Sequence, residues 1–258
     1  QAYTIGLTID VSRNTNVEGA LNTENTIIGG QSDDRIIFSN HNVVGASSVV
    51  GGDGEDTLTF AENGISITDD KFGVNINEVE VLKTKDGTNY IQIGSSALSS
   101  NLQSVLGGAG ADTFDASEFN SGIFLDAGAD ADSIQIKDAT LLGESTVLGG
   151  SGEDTLSIAE SGTLEDENFL NVSEIEVFQA AENGSNVLSL GEVAEASGIK
   201  QFIGGNSNDT LDARAFQGAV TLTGGEGNDR FIVSTGDKLR QQIVQGGDGS
   251  DIVSLAIE

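Results

Sequence analysis

Apolar residues along this 258-residue chain come in short bursts, such as Ile36-Ile37-Phe38, Val49-Val50, Val79-Glu80-Val81 and Ile91-Gln92-Ile93. They stand in pairs or alternate with polar residues, and Gly, Asn, Asp and Ser flank them. That is the pattern of strands and turns rather than of helices. A helical pattern fits only near residues 95–103 and 192–197, so one short helix or irregular bulge per long repeat is predicted there. The bursts return about every twenty residues, too soon for a βαβ crossover, whose unit takes ~30 residues or more. Strands so spaced are predicted to wind in parallel, one coil per repeat, with the right hand of parallel crossovers generally. The predicted class is all-β, a right-handed parallel β-helix (β-solenoid).

Between the bursts one glycine-aspartate loop recurs. Its copies are 29–34, 51–56, 107–112, 149–154, 204–209, 224–229 and 246–251, with a degraded copy at 127–132. The first positions are 29, 51, 107, 127, 149, 204, 224 and 246, so the gaps are 22, 56, 20, 22, 55, 20 and 22. Short gaps form clusters and long gaps separate them. The long gaps are related to each other: Glu78-Val79-Glu80-Val81 matches Glu174-Ile175-Glu176-Val177, and Asn89-Tyr90-Ile91-Gln92-Ile93-Gly94 matches Asn186-Val187-Leu188-Ser189-Leu190-Gly191. Near the start, Thr8-Ile9-Asp10-Val11-Ser12 resembles Thr113-Phe114-Asp115-Ala116-Ser117. A single continuous solenoid over 1–258 is predicted, with superunits of about 97 residues at 51–148 and 149–245, a partial one at 1–50 and the start of another at 246–258. Both ends read as cut from a continuing array.

Charge changes the picture. Asp and Glu number 41 against 11 Lys and Arg, a formal net charge of -30. Such a polyanion repels phosphate backbones and anionic membrane surfaces, which argues against nucleic-acid partners. No apolar run approaches the ~20 residues of a membrane helix, so no direct membrane insertion is expected. Cysteine is absent, so neither disulfide nor thiolate metal ligation is available. The natural partner is a cation.

The loops supply the chemistry. In Gly51-Gly52-Asp53-Gly54-Glu55-Asp56-Thr57-Leu58 the glycines open backbone angles closed to other residues. Carbonyl oxygens can then gather on a tight arc, Asp56 adds a carboxylate where the strand begins, and Leu58 locks the register in the core. Six to eight hard oxygens at ~2.3–2.6 Å suit Ca²⁺. One loop supplies too few, so each ion is expected between two loops stacked one coil apart. The pairs 29/51, 107/127, 127/149, 204/224 and 224/246 predict at least five calcium ions. The principal carboxylates are Asp34, Asp56, Asp112, Asp132, Asp154, Asp209, Asp229 and Asp251, beside Gly29, Gly51, Gly107, Gly149, Gly204, Gly224 and Gly246. Asp53, Asp130, Asp248, Asn206, Asn208 and Asn228 are secondary candidates.

The pattern resembles the G-G-x-G-x-D-x-U-x nonapeptide of RTX (hemolysin-type calcium-binding repeat) proteins. The resemblance spans the eight loops and implies an RTX β-roll-like solenoid with calcium between turns. It departs from tandem nonapeptides in that copies stand 20–22 apart, so one edge of each turn is expected to bind metal. Ala127 and Asp130 replace glycines in the degraded copy, and Ser32 and Ser207 replace the fourth-position glycine of theirs.

Outside the loops, Asp69-Asp70, Glu165-Asp166-Glu167 and Glu78/Glu80 read as solvated surface charge, and His41, the one histidine, as a surface position. Asp86-Gly87-Thr88-Asn89 and Asn183-Gly184-Ser185-Asn186 read as turns. No cluster of acids with Arg, Lys, His and Tyr marks a catalytic face, so no enzyme is expected. The favoured function is a calcium-dependent extracellular structural protein of an S-layer, filament or surface matrix, secreted to a bacterial cell surface and associating end to end with other copies. The RTX resemblance implies an alternative, an accessory or secretion module of a larger type I-secreted enzyme, toxin or adhesin.

Overall fold

The short apolar bursts form strands, and each strand pairs in parallel with the equivalent strand one coil away. The computed structural model describes residues 7–10, 16–18, 25–235 and 241–256, so residues 11–12 of the N-terminal repeat lie outside the described residues. The chain divides into two compact units, Gln1–Ala129 and Asp130–Glu258.

In the first unit the strands form three parallel stacks. One holds Leu7–Asp10, Asn25–Ile28, Ser48–Val50 and Ile76–Asn77. The second holds Asn16–Glu18, Arg35–Phe38, Thr57–Phe60, Val81–Lys83, Ser104–Leu106 and Phe124–Asp126. The third holds Ser66–Ile67, Tyr90–Gln92 and Thr113–Ala116. Register is fixed by like residues falling on like. Ile36 lies beside Leu58 and Leu58 beside Leu82, all fully buried. Because side chains alternate across a strand, a one-residue slip would turn such a column out to solvent.

The second unit repeats the arrangement. Ser133–Ile136, Thr155–Ile158, Val177–Gln179, Gln201–Ile203, Val220–Glu226 and Gln242–Asp248 form its longest stack. A second stack holds Thr163–Leu164, Val187–Ser189, Thr210–Asp212, Arg230–Ser234 and Ile252–Ala256, and Thr146–Leu148 pairs with Val172–Ser173. Ile134, Leu156, Phe178, Phe202 and Leu222 make one buried column. Aromatic rings thicken it: Phe169 meets Phe178 edge-on at 5.1 Å, and Phe202 meets Phe216 edge-on at 6.1 Å. The predicted parallel solenoid is what each unit shows, mostly β with few helices.

The long gaps now have a physical meaning. Loops 29–34 and 51–56 join the first stack to the second, whereas loop 107–112 joins the second to the third. In the second unit loop 149–154 feeds the longest stack, and loops 204–209, 224–229 and 246–251 leave it. The loop-bearing edge therefore moves by one face from cluster to cluster.

Helices form at Ser95–Ser99 and Glu192–Ala196, as predicted, and also at Ala139–Glu144, where Asp138 caps Leu141 N–H at 3.0 Å. The first two lack a side-chain cap from their own N-cap glycines. They are capped instead from the preceding coil. Asp69 accepts the N–H groups of Gly94, Ser96 and Ala97, and Asp166 those of Gly191, Val193 and Ala194, at 2.7–3.0 Å. Asp69 and Asp166 are thus not the solvated surface charges expected of them. Burial opposes ionisation of Asp69, but the three backbone donors prevail and hold its carboxyl below the ordinary value.

Candidate metal centre

Each loop ends on an Asp immediately before its strand, and the strand's inward residue pulls that Asp inside. Asp34, Asp56, Asp112, Asp132, Asp154, Asp209 and Asp229 are all buried, although each carries a charge. Their first carboxylate oxygens form a ladder up the coils. Asp34 N–H donates to Asp56 Oδ1 at 2.8 Å, Asp132 N–H to Asp154 Oδ1 at 2.8 Å, Asp209 N–H to Asp229 Oδ1 at 2.8 Å and Asp229 N–H to Asp251 Oδ1 at 2.9 Å. The spacing of 20–22 residues read from the sequence is the length of one rung of this ladder.

The second oxygen divides the loops into two kinds. In the first loop of each cluster it accepts the N–H of the loop's second glycine: Gly30 to Asp34 at 2.9 Å, Gly108 to Asp112 at 3.5 Å and Gly205 to Asp209 at 2.6 Å. In later loops the second glycine is left-handed, with φ of 112° at Gly52, 92° at Gly150 and 109° at Gly225. That bond is then absent. Oδ2 of Asp56, Asp154 and Asp229 is buried with no hydrogen-bond partner in the protein. A buried carboxylate oxygen without a donor costs several kcal/mol unless a cation meets it, on the order of what an isolated buried ion costs after relaxation.

Where the first position is glycine, this oxygen, a neighbouring carbonyl or both crowd it; only the degraded copy, with Ala127, carries a side chain there. A Cβ on Gly224 would lie 2.1 Å from Asp229 Oδ2 and 2.4 Å from the Gly246 carbonyl oxygen. Carboxylate and carbonyl oxygens of successive loops thus converge on one point, as a hard divalent ion requires. Among the described residues no three Asp, Glu, His or Cys side chains gather into a metal cluster. The donor set is one of paired carboxylates and main-chain oxygens, which suits Ca²⁺ rather than a softer metal.

The other predicted residues lie elsewhere. Asp53, Asp130, Asp248, Asn206, Asn208 and Asn228 are exposed. Asn208 Oδ1 accepts Asn228 N–H at 2.7 Å, and Asn228 Oδ1 accepts Ser250 N–H at 2.8 Å, a second ladder on the outer face. Asp130 takes the left-handed turn (φ 75°) that glycine supplies in other copies. Asp251, on the last coil, is half-exposed.

Two rungs escaped the sequence pattern. Asn89 and Asn186 occupy the Asp position one coil before the clusters at 107 and 204, and their N–H groups donate to Asp112 Oδ1 at 2.7 Å and Asp209 Oδ1 at 2.6 Å. The Asn89 amide nitrogen donates to the carbonyls of Lys85 and Gly87 and to Asp112 Oδ1, at 2.8–2.9 Å. Asn186 does the same with Ala181, Gly184 and Asp209 at 3.0–3.2 Å. A neutral amide here gathers the oxygens that a cation gathers elsewhere. The signal was present as Gly87-Thr88-Asn89 beside Gly110-Ala111-Asp112, an Asn standing for Asp. Glu80, expected to be solvated charge, and its repeat equivalent Glu176 also belong to the ladder. Their Oε2 atoms accept the N–H groups of Asp56 at 2.9 Å and Asp154 at 3.1 Å. His41, at the surface, pairs Nδ1 with Glu62 Oε1 at 2.7 Å.

The electrostatics follow from this crowding. Burial, then repulsion from Glu80, Asp34 and Asp33, pushes the Asp56 carboxyl from 3.8 up to about 6, against the opposing Asp34 hydrogen bond. Asp154 is raised by burial and by Glu176 and Glu174, and Asp229 by burial and by Asp209 and Asp251. An acid raised on folding binds its proton more tightly in the folded chain. Metal-free stability is therefore highest below the ordinary carboxylate range and falls as pH rises toward about 6. Melts in chelator should show a higher Tm at pH 5 than at pH 7, and saturating calcium should narrow that difference. A chelated chain that melts lower at pH 5 would contradict the assignment.

No curated protein matches the chain. Residues 203–237 match the sequence profile of the RTX calcium-binding nonapeptide repeat (4 copies). That stretch contains loops 204–209 and 224–229, with the Asp209–Asp229 rung and the unpartnered Asp229 oxygen. Over this stretch the chain carries the calcium-binding repeat of the RTX family.

Proposed function

We propose that this is a calcium-dependent extracellular structural protein, a component of a bacterial surface layer, filament or matrix whose solenoid is folded and stiffened by at least five Ca²⁺ ions between coils. The observation that carries the reading is a set of three buried carboxylates, Asp56, Asp154 and Asp229, whose second oxygens have no partner in the protein, in a chain of net charge -30. In calcium-poor surroundings such a chain repels itself, and in millimolar external calcium ion binding becomes folding free energy. RTX repeats are typical of proteins that bacteria secrete, and among the described residues no helix is long and apolar enough to cross a membrane. We assign it no catalytic activity.

End-to-end association with other copies belongs to the same reading. Val253 and Leu255 stack on Phe231 and Val233, which are fully buried one coil earlier, yet are themselves more than half exposed. Unpaired strand edges are templates for a further coil, whether of this chain or of another copy. Light scattering should show particle mass rising with protein concentration once calcium is added. A monomer at every concentration, with and without calcium, would overturn the assembly.

A further inference from the structure

Two turns that contain no glycine-aspartate motif present oxygen where the next loop of a column would. They are residues 78–80, one coil beyond loop 51–56, and residues 174–176, one coil beyond loop 149–154. Glu78 and Glu174 are left-handed, with φ of 52° and 57°. This conformation is uncommon for a residue with a side chain, and a surrounding structure must impose it.

Its effect is to aim a carbonyl. A Cβ on Gly51 would lie 1.8 Å from the Glu78 carbonyl oxygen and 2.3 Å from Asp56 Oδ2. On Gly149 it would lie 1.8 Å from the Glu174 oxygen and 2.9 Å from Asp154 Oδ2. Between recognised loops the same place is taken by the first-glycine carbonyl: Gly51 over Gly29 at 1.8 Å and Gly224 over Gly204 at 2.3 Å. The carbonyls of Glu78 and Glu174 thus substitute for those of a following loop. Two residues on, Oε2 of Glu80 and Glu176 takes the ladder position that a following Asp Oδ1 would hold. The extra methylene of Glu spans the shorter turn. Asp56 and Asp154 are 0% exposed, and their Oδ2 atoms, lying against these glycines, have no protein partner.

We propose that Asp56 with Glu80, and Asp154 with Glu176, each bind a further divalent cation of the calcium type, completed by the Glu78 or Glu174 carbonyl. These two ions close a column of loops at the coil where the motif stops, beyond the five between recognised loops. The proposal rests on the loops being calcium sites. Two carboxylates neutralise the ion, and main-chain oxygens and solvent fill the remaining positions that calcium needs. The Asp56 site is the cleaner of the two. At the other, Lys200 Nζ lies 3.5 Å from Glu176 Oε1, an exposed pair that competes weakly for that carboxylate.

Counting ions tests the proposal. Glu80→Gln and Glu176→Gln keep an oxygen for the Asp56 and Asp154 N–H groups, so a ladder role alone survives the change while the charge is lost. Equilibrium dialysis of the full chain against radioactive calcium should show one ion fewer per chain for each single variant and two fewer for the double variant. The exposed control Glu144→Gln should match the parent. A double variant that binds as many ions as the parent overturns the proposal and leaves the recognised loops intact. A parent that binds no calcium overturns the loop reading as well. Should the double variant fail to fold in calcium by circular dichroism, anomalous diffraction from parent crystals grown in calcium decides. Peaks beside Asp56 and Asp154 Oδ2, on the Glu80 and Glu176 side, support the sites. Peaks only between recognised loops overturn them.

Discussion

Chelation at neutral pH should abolish most of the chain's β-sheet circular dichroism, and millimolar calcium should restore it. The expectation follows from where the charge sits. Were the 41 acidic residues all on the surface, solvent and salt would screen them and removing an ion would matter little. Here the Asp of every loop but the last is buried, and Asp56, Asp154 and Asp229 each hold an oxygen that the protein does not satisfy. Each coil also buries only a few apolar side chains against its two neighbours, so the margin per coil is small. Removing a divalent ion leaves two coils to bear an uncompensated buried charge, which costs about 3–5 kcal/mol when a buried pair is broken. Over the three rungs of Asp56, Asp154 and Asp229 that is about 9–15 kcal/mol, comparable with the 5–15 kcal/mol by which domains are usually stable. A chelated sample with unchanged spectrum and melting temperature would show that the buried Asp residues are satisfied without metal.

The largest single-residue effect in calcium should come from Phe202→Ala, a loss of about 3–5 kcal/mol in denaturant unfolding. Phe202 is fully buried, stacks in register between Phe178 and Leu222, and touches the rings of Phe169, Phe178 and Phe216. No neighbour can fill its place without leaving its own column. Leu170, also apolar and close in sequence to Phe169, is 66% exposed, so Leu170→Ala should change stability by no more than about 0.5 kcal/mol. Equal effects at the two positions would mean that the aromatic column is not what holds this part of the solenoid.

Much of this architecture was legible because its signals are local. A burst such as Thr57-Leu58-Thr59-Phe60 and a loop such as Gly51 to Asp56 carry their own turn chemistry and strand pattern within ten residues, and repetition sets the coil length. What stayed hidden depends on which residues meet across a coil. Asp69 and Asp166 looked like surface charge because the helices they cap begin 25 or more residues later. Glu80 looked solvated because its partner, Asp56, lies 24 residues earlier, and Glu176 gave no sign of its own partner, Asp154, 22 residues earlier. Asn89 and Asn186 fall outside the motif because the motif ends on a carboxylate, while the geometry asks for whatever holds the oxygens together. The shift of the loop-bearing edge was invisible for the same reason: a gap of 55 or 56 residues gives a distance along the chain, not a face.

The amide rungs at Asn89 and Asn186 bear on the order in which the chain acquires its shape. A nearest-neighbour array can begin at any coil and grow outward, but here the coils differ in what they need at the outset. Those two turns are held by the protein's own donors, whereas rungs further along wait for an ion from outside. They are therefore natural starting points for winding, each beside a first loop whose Asp already has its backbone donor, with later coils added as the ion arrives.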